Sequence, residues 1–211
     1  MHISVRFHRL AILPVLVCLL WAAAAVGQQA TIQLPKPRMT GGMPLMEALA
    51  KRQTTRAFAD KPLPPQMLSN LLWAAFGVNR QREVKPGLGR TAPSAMNKQE
   101  VELDVVLADG VYIYEAEQNR LRPVLAGDVR GKIGTGAAAH AAVTIVYVAD
   151  AKLDYAQVDT GFIGQNVYLY AASEGLNAWL YALHTPDVAA TLKLAEGRKP
   201  LYGQSVGYPE K

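Results

Sequence analysis

The sequence predicts an α+β domain in which helices and strands are mixed rather than strictly alternating. Residues 142–149 are a short apolar run rich in β-branched side chains, as expected of a strand, and residues 101–108 and 201–206 are also predicted as strands. Residues 155–174 contain no proline and repeat apolar side chains at helical spacing. A doubly wound sheet would require a regular β-α order, which this succession of segments lacks.

The first 27 residues have the three-part organisation of a secretory signal peptide. Arg6 and Arg9 form a positive start, an apolar run covers 10–25, and the small residues of Ala25-Val26-Gly27 precede a cleavage point. The run is shorter than the roughly 20 apolar residues of a membrane-spanning helix, and Pro14 interrupts it. We therefore expect a secreted or periplasmic protein with no stable membrane insertion after signal removal. An uncleaved anchor is the alternative.

The remainder of the chain excludes several classes of site by composition. Cys18 is the only cysteine and leaves with residues 1–27, so neither a disulfide nor a thiol site is expected afterwards. Only His140 and His184 remain, too few for a histidine-rich metal centre. Loss of two arginines lowers the formal charge from +5 to +3, and the basic residues are dispersed. We therefore expect neither nucleic acid nor a metal as partner.

The predicted elements begin with an extended lead-in over 28–42, which holds proline and glycine without periodicity, followed by one domain over 43–211. A first helix starts at Met43 and ends near Lys51. A second starts at Pro64-Pro65, where proline suits the first helical turn, and ends before Gly77. The polar, glycine-containing segment 79–92 predicts a loop.

The second half of the domain contributes most of the predicted sheet. Strands at 101–108 and 111–114 flank Asp109-Gly110, a dipeptide typical of hairpins. Residues 142–149 predict a buried central strand. After the helix at 155–174, strands are predicted at 177–183 and 201–206, separated by a short helix opening at Thr185-Pro186-Asp187.

Two short motifs resemble known sites but lack the required context. Gly203-Gln204-Ser205-Val206-Gly207 matches the G-x-S-x-G elbow of serine hydrolases, whose acid and histidine follow the serine. No histidine follows Ser205, so a strand with small residues is the better interpretation. Gly131–Gly136 has G-x-x-G-x-G spacing and precedes a strand, unlike a dinucleotide fingerprint, and it predicts a loop.

Three segments carry the functional signal, each with an ordinary structural alternative. The first groups hydroxyl, amide and guanidinium donors suited to a phosphate, or is a solvated helix end. The second surrounds a proline with small residues and an asparagine that both donates and accepts, or is a turn before a strand. The third segment contains a glycine that would allow a backbone N–H group to face a ligand, or it is an ordinary helix cap. Their candidate residues are Arg52, Gln53, Thr54 and Arg56; Pro93, Ser94, Ala95 and Asn97; and Glu174 and Gly175.

In this order and spacing, the three segments resemble the nitroreductase family from about Leu45 to Tyr208. The stretches LLWAAFGVNR at 71–80 and RTAPSA at 90–95 are most similar to its small thiazoline-oxidase-like branch. The resemblance implies a mixed, mainly antiparallel sheet flanked by helices, and a homodimer with two FMN sites at its interface.

The same resemblance assigns roles to the candidate residues. It implies that Arg52, Gln53, Thr54 and Arg56 hold the FMN phosphate and ribityl chain. Pro93, Ser94, Ala95 and Asn97 would lie against the flavin, and Glu174 and Gly175 near its N5 atom. The implied activity is ping-pong hydride or two-electron transfer through FMN, with no catalytic acid or base nominated. A secreted flavin-binding protein without turnover is the alternative.

The sequence departs from the family pattern in three places. Thr54 stands where serine is common, which preserves the hydroxyl. The basic K-x-R element that often contacts the phosphate is absent or reduced to Lys211. No match to the Lys-Tyr pair of azoline oxidases is found, which argues against oxidation of peptide heterocycles. The small-molecule substrate and the electron donor, NAD(P)H or another, are not identified by the sequence.

Overall fold

The computed structural model describes His2 and residues 29–81, 88–152, 155–183 and 186–210. Apart from His2, the predicted signal peptide lies outside the described residues, as do His184 and Lys211. Within the described part of the chain, no helix is both long and apolar enough to cross a membrane.

The described residues form five α-helices and nine strands. The helices are α1 (Leu45–Lys51), α2 (Pro65–Phe76), α3 (Arg130–Ile133), α4 (Ala156–Glu174) and α5 (Pro186–Leu192). The strands are β1 (Ile32–Gln33), β2 (Val78–Gln81), β3 (Leu88–Arg90), β4 (Glu102–Leu107), β5 (Gly110–Glu115), β6 (Arg120–Ala126), β7 (Val143–Asp150), β8 (Asn177–Ala182) and β9 (Arg198–Gly207).

Seven of these strands form one sheet in the order β1-β6-β5-β4-β7-β9-β8, and every neighbouring pair is antiparallel. The α+β prediction with a mainly antiparallel sheet flanked by helices is therefore confirmed. Strand β7 lies inside the sheet between β4 and β9, and Val143 to Ala149 are fully buried along it. That burial on both faces explains why the strand is a continuous apolar run rather than an alternating one.

The sheet separates two hydrophobic cores. One lies against α2 and α4 and includes Leu71, Leu72, Ile163 and Val167. The other is smaller and lies against α3 and α5 on the opposite face. Helix α4, 19 residues long, crosses the larger core and ends at Gly175, whose φ of +69° is the left-handed conformation that favours glycine.

Several predicted boundaries are wrong. The segment 79–92 was predicted as a loop, but β2 and β3 pair in a separate two-stranded sheet, and residues 82–87 lie outside the described residues. Residues 131–136 contain the end of helix α3 rather than only a loop, and a 3-10 turn over Gly136–His140 follows. The lead-in includes the short edge strand β1, which pairs with β6. Strand β6 itself was not predicted, because Pro123 and two arginines obscure its pattern.

Candidate functional site

The basic segment 52–56 leaves α1 and lies along the edge of β8. The Thr55 amide donates to the carbonyl of Ala178 at 3.0 Å, and Ala178 N donates to the Thr55 hydroxyl at 3.3 Å. Asn177 Nδ2 donates to the Ala57 carbonyl at 2.6 Å. These bonds fix the backbone of the segment against the sheet, so its side chains at 52, 54 and 56 have defined positions.

Two aromatic rings support the guanidinium groups of this segment. Arg52 Cζ lies 5.5 Å from the centroid of the Tyr168 ring on α4, and Arg56 Cζ lies 5.3 Å from that of Trp179 on β8. The Tyr168 hydroxyl is 3.1 Å from the Thr54 hydroxyl and accepts the Leu180 N–H at 2.8 Å. A ring against one face of a guanidinium leaves its N–H edge available to an anion.

In the described part of the chain, Arg52 and Arg56 have no carboxylate partner. Among the described residues, no carboxylate oxygen lies within 4.0 Å of either guanidinium. The neighbouring Lys51 differs, since its ammonium contacts Glu47 at 2.8 Å. The segment therefore presents two unneutralised cations, which suits a phosphate ligand.

The C-terminal end of α4 lies beside this segment. Arg52, Gln53 and Gly175 line a cavity of about 470 Å³, together with Tyr168 and other residues of α4 and β8. Glu174 instead faces a neighbouring cavity of about 360 Å³, bordered by residues 38–43. Gly175 forms the C-terminal cap of α4, which is the structural alternative given for it in the sequence. Its backbone also borders the cavity.

The Pro93–Asn97 loop lies at the other end of α4. The Ala95 amide donates to both carboxylate oxygens of Asp159, at 3.1 and 3.3 Å, and Asp159 is only 1 % exposed on the first turn of the helix. Sixteen helical residues separate Asp159 from Gly175, or about 24 Å at 1.5 Å per residue. One chain therefore places the loop and the basic segment at opposite ends of α4, in separate cavities.

The backbone of this loop is strained. Met96, Asn97 and Gln99 have φ values of 51°, 57° and 52°, in the left-handed region. Such conformations cost about 1–3 kcal/mol each and cluster at functional sites. Hydrogen bonds hold them: Gln99 N donates to the Ser94 hydroxyl at 2.8 Å, and Gln99 Nε2 donates to Asn97 Oδ1 at 3.0 Å.

A further bond, from Arg90 Nε to Gln99 Oε1 at 2.6 Å, ties the loop to β3. Among the described residues, Asn97 Nδ2 has no acceptor and can donate to a ligand. Four residues that position the site thus escaped sequence reasoning: Gln99, Asp159, Tyr168 and Trp179. Only Gln99 lies close in sequence to a predicted residue, two positions after Asn97, while the others reach the site through the fold.

The G-x-S-x-G motif has a structural role. Ser205 is fully buried within β9, and its hydroxyl lies 2.8 Å from that of Thr144 and 3.1 Å from that of Tyr181. The segment is a strand, as predicted, rather than a strand-to-helix elbow. A hydroxyl so enclosed is not accessible to a substrate.

Comparisons with known proteins agree with these features. Residues 49–208 match the sequence profile of the Nitroreductase family. A nitroreductase homologue of Methanocaldococcus jannaschii is 29 % identical over 81 % of this chain and 93 % of its own length. A crystal structure of a nitroreductase homologue from Ralstonia eutropha superposes with a TM-score of 0.79 at 33 % identity, covering 88 % of this chain and 92 % of that one. An FMN-dependent nitroreductase from Clostridium difficile shares the fold, with a TM-score of 0.54 at 17 % identity over 79 % of this chain and 88 % of that one.

Proposed function

This chain belongs to the nitroreductase family, and we propose that it is an FMN-dependent oxidoreductase acting on a small molecule as a homodimer. The observation that carries the proposal is the pair of guanidiniums at Arg52 and Arg56, each stacked on an aromatic ring and, among the described residues, without a carboxylate partner. Arg52 also lines the cavity that Gly175 borders, while Arg56 is not part of its described lining. The name of the Clostridium difficile neighbour, an FMN-dependent enzyme, supports the choice of cofactor. The R-T-A-P-S-A motif supports placement in the thiazoline-oxidase-like branch.

The residues present fit FMN if two chains contribute to each site. In our proposal Arg52 and Arg56 hold the phosphate, with Gln53 and Thr54 toward the ribityl chain. Glu174 and Gly175 lie at the same end of α4. The Pro93–Asn97 loop of the second chain covers the ring, with Ser94, Ala95 and the Asn97 amide facing its polar edge. Bound FMN would supply the two-electron chemistry, while the protein binds, orients and shields it.

The geometry of α4 gives the homodimer a physical basis. An exposed apolar face runs along the start of the helix at Tyr155, Val158 and Phe162, which are 46, 54 and 43 % exposed. Helix α1 adds Leu45 and Met46. Packing two copies of α4 antiparallel about a two-fold axis would bury this face. It would also bring the loop of each chain beside the basic segment of the other.

The test is the visible absorption of protein purified without added cofactor, together with its mass by light scattering. We expect flavin bands, release of FMN rather than FAD on denaturation, and a dimer. Colourless protein that takes up no added FMN would refute the proposal. Turnover with an artificial electron donor and acceptor distinguishes an enzyme from a flavin-binding protein without activity.

We also propose that the protein is exported, on the strength of the arginines, apolar run and small residues within 1–27. Protein isolated from its native host should begin near Gln28 by N-terminal sequencing. Soluble cytoplasmic protein that retains Met1 would contradict export. This result is independent of cofactor binding.

A further inference from the structure

A second cavity lies beside the Pro93–Asn97 loop, on the side of the β2–β3 hairpin. It has a volume of about 620 Å³, within the range of small-molecule sites. Among the described residues, its lining includes two arginines, Arg80 and Arg90, and no acidic side chain. Because Pro93, Ser94 and Asn97 also line it, a molecule bound there would touch the loop that our proposal places against the flavin. We call this space the hairpin cavity.

Arg90 is a partly desolvated cation on β3, and it also borders a separate space lined by Glu115 and Glu117. Its guanidinium lies 5.1 Å from the Phe76 ring centroid, donates through Nη1 to the Phe76 carbonyl at 3.3 Å and through Nε to Gln99. Burial lowers the pKa of Arg90, although the charges of Glu117 and Tyr114 partly oppose this. Among the described residues, no carboxylate oxygen lies within 4.0 Å of it. An anion in the cavity would compensate this desolvated charge.

Arg80 is directed along the hairpin toward Arg90 by a glycine. Its Nη1 donates to Asn79 Oδ1 at 2.8 Å and to the Arg90 carbonyl at 3.4 Å. A Cβ at Gly89 would lie 2.6 Å from Arg80 Cγ and 2.8 Å from its Cζ. Gly89 therefore provides the space in which the Arg80 side chain lies across β3. The two cations border one cavity because of this close approach.

We propose that the hairpin cavity binds the carboxylate of a small organic substrate through Arg80 and Arg90. The planar donor edge of arginine matches the two oxygens of a carboxylate, and two arginines at one cavity favour an anion over its neutral analogue. The remainder of the substrate would lie over the Pro93–Asn97 loop. This inference rests on the proposed function, since it assigns the substrate class of that same site.

Benzoate and its neutral analogue benzamide test the inference on the FMN-loaded dimer, by calorimetry and by perturbation of the flavin spectrum. We expect benzoate to bind more tightly than benzamide. Arg80→Gln should weaken benzoate binding about five- to tenfold and leave the affinity for benzamide unchanged. Arg80→Lys should weaken benzoate binding less than Arg80→Gln does. Lys132→Gln removes an exposed cation from α3, across the sheet from the hairpin cavity; it is the matched control and should change neither affinity.

Three outcomes would overturn the inference: equal binding of benzoate and benzamide, equal loss of both in Arg80→Gln, or weakened FMN binding with the preference for benzoate intact. The third outcome would indicate that the Arg80 guanidinium contacts the flavin rather than the substrate carboxylate. Failure of the proposed function is distinguishable, because it leaves the protein without FMN. Calorimetry of benzoate does not depend on flavin absorption, so it measures the preference for benzoate over benzamide independently of the flavin signal.

Discussion

At the scale of single residues, Arg52 and Arg56 each meet an aromatic ring rather than a carboxylate. Stacking on Tyr168 and Trp179 orients the guanidiniums without neutralising them. A carboxylate partner would compete with a phosphate for the same donors. Tyr168 contributes twice, since its hydroxyl also contacts Thr54. These rings thus prepare the segment for an anionic ligand.

Replacing either arginine should weaken FMN selectively over riboflavin. A charge-assisted hydrogen bond to phosphate is worth about 1.5–3 kcal/mol, so Arg52→Ala or Arg56→Ala should weaken FMN about tenfold to a hundredfold. Riboflavin has no phosphate, so its binding affinity should change little. Fluorescence titration of the folded apo-protein measures both affinities. Equal loss for both ligands would indicate general disruption, and no loss for either would return the segment to a solvated helix end.

Asp104 is the buried acid whose titration the fold perturbs most. It is 1 % exposed in β4, and its Oδ1 has no hydrogen-bond partner among the described residues. Burial, and secondarily the charge of Glu102, raises its pKa to about 7, against the opposing effects of Arg198 and Arg122. The folded protein thus binds this proton more tightly than the unfolded chain. The associated stability is present at acidic pH and is lost as pH rises through about 7.

Asp104→Asn should remove this pH dependence. The difference between the raised pKa of about 7 and the ordinary value of an aspartate corresponds to on the order of 4 kcal/mol, an upper bound because buried groups relax. By denaturant unfolding, the variant should match wild type below about pH 4, become relatively more stable as pH rises towards 7, and remain more stable near pH 8.5. Glu196→Gln, an exposed acid, serves as control. A wild-type stability that stays flat between those pH values would contradict the prediction.

At the scale of elements, α4 sets the spacing of the proposed site. The buried carboxylate of Asp159 holds the strained loop at its start, and Gly175 ends it beside the basic segment. Between them, one face packs into the core through Ile163 and Val167. The other face leaves Val158 and Phe162 exposed. The same helix therefore separates the two half-sites and offers the surface that would join them to a second copy.

A charge in this apolar face should dissociate the proposed dimer. Phe162→Glu removes burial worth about 1.5–3 kcal/mol from each copy, which weakens association by at least about a hundredfold. It also places like charges near a two-fold axis. Light scattering should report monomers, and FMN should be lost with them. Ala190→Glu, exposed on α5 across the sheet, adds the same charge as a control. A Phe162→Glu dimer that retains FMN would contradict this interface.

The sequence predicted those elements whose apolar pattern is set by burial. Strand β7 is buried on both faces, and α4 repeats its apolar residues because one face packs on the core. Strands β2 and β6 carry polar residues and, in β6, Pro123, so their pairing depends on neighbours rather than on their own composition. A pattern within one segment cannot report such partners.

The candidate residues followed the same division. Arg52 and Pro93 stand in local motifs that a resemblance could locate. Asp159 contacts Ala95 across 64 positions, and Tyr168 contacts Thr54 across 114. These contacts exist only after the helix has packed, so spacing in the sequence carries no sign of them. The separation of the three segments along α4 likewise became evident only in the fold.

At the scale of the whole molecule, our proposal makes the cavity at the basic segment and the one at the Pro93–Asn97 loop two incomplete halves of a site. Each chain of the proposed dimer would give its basic segment to one site and its Pro93–Asn97 loop to the other. A site built within a single chain would require both halves from that chain. The two arrangements differ in what happens when the halves are damaged separately.

Mixed dimers of Arg52→Ala and Asn97→Ala chains should therefore recover one intact site. In such a dimer, one site combines both damaged halves, while the other combines the basic segment of the Asn97→Ala chain with the loop of the Arg52→Ala chain. Co-expression with two different affinity tags isolates the mixed dimer, and FMN titration should find one site of wild-type affinity per dimer. Homodimers of each variant are the controls and should have only weak sites. If both sites lay within single chains, every site in the mixed dimer would carry one defect, and no wild-type affinity would return.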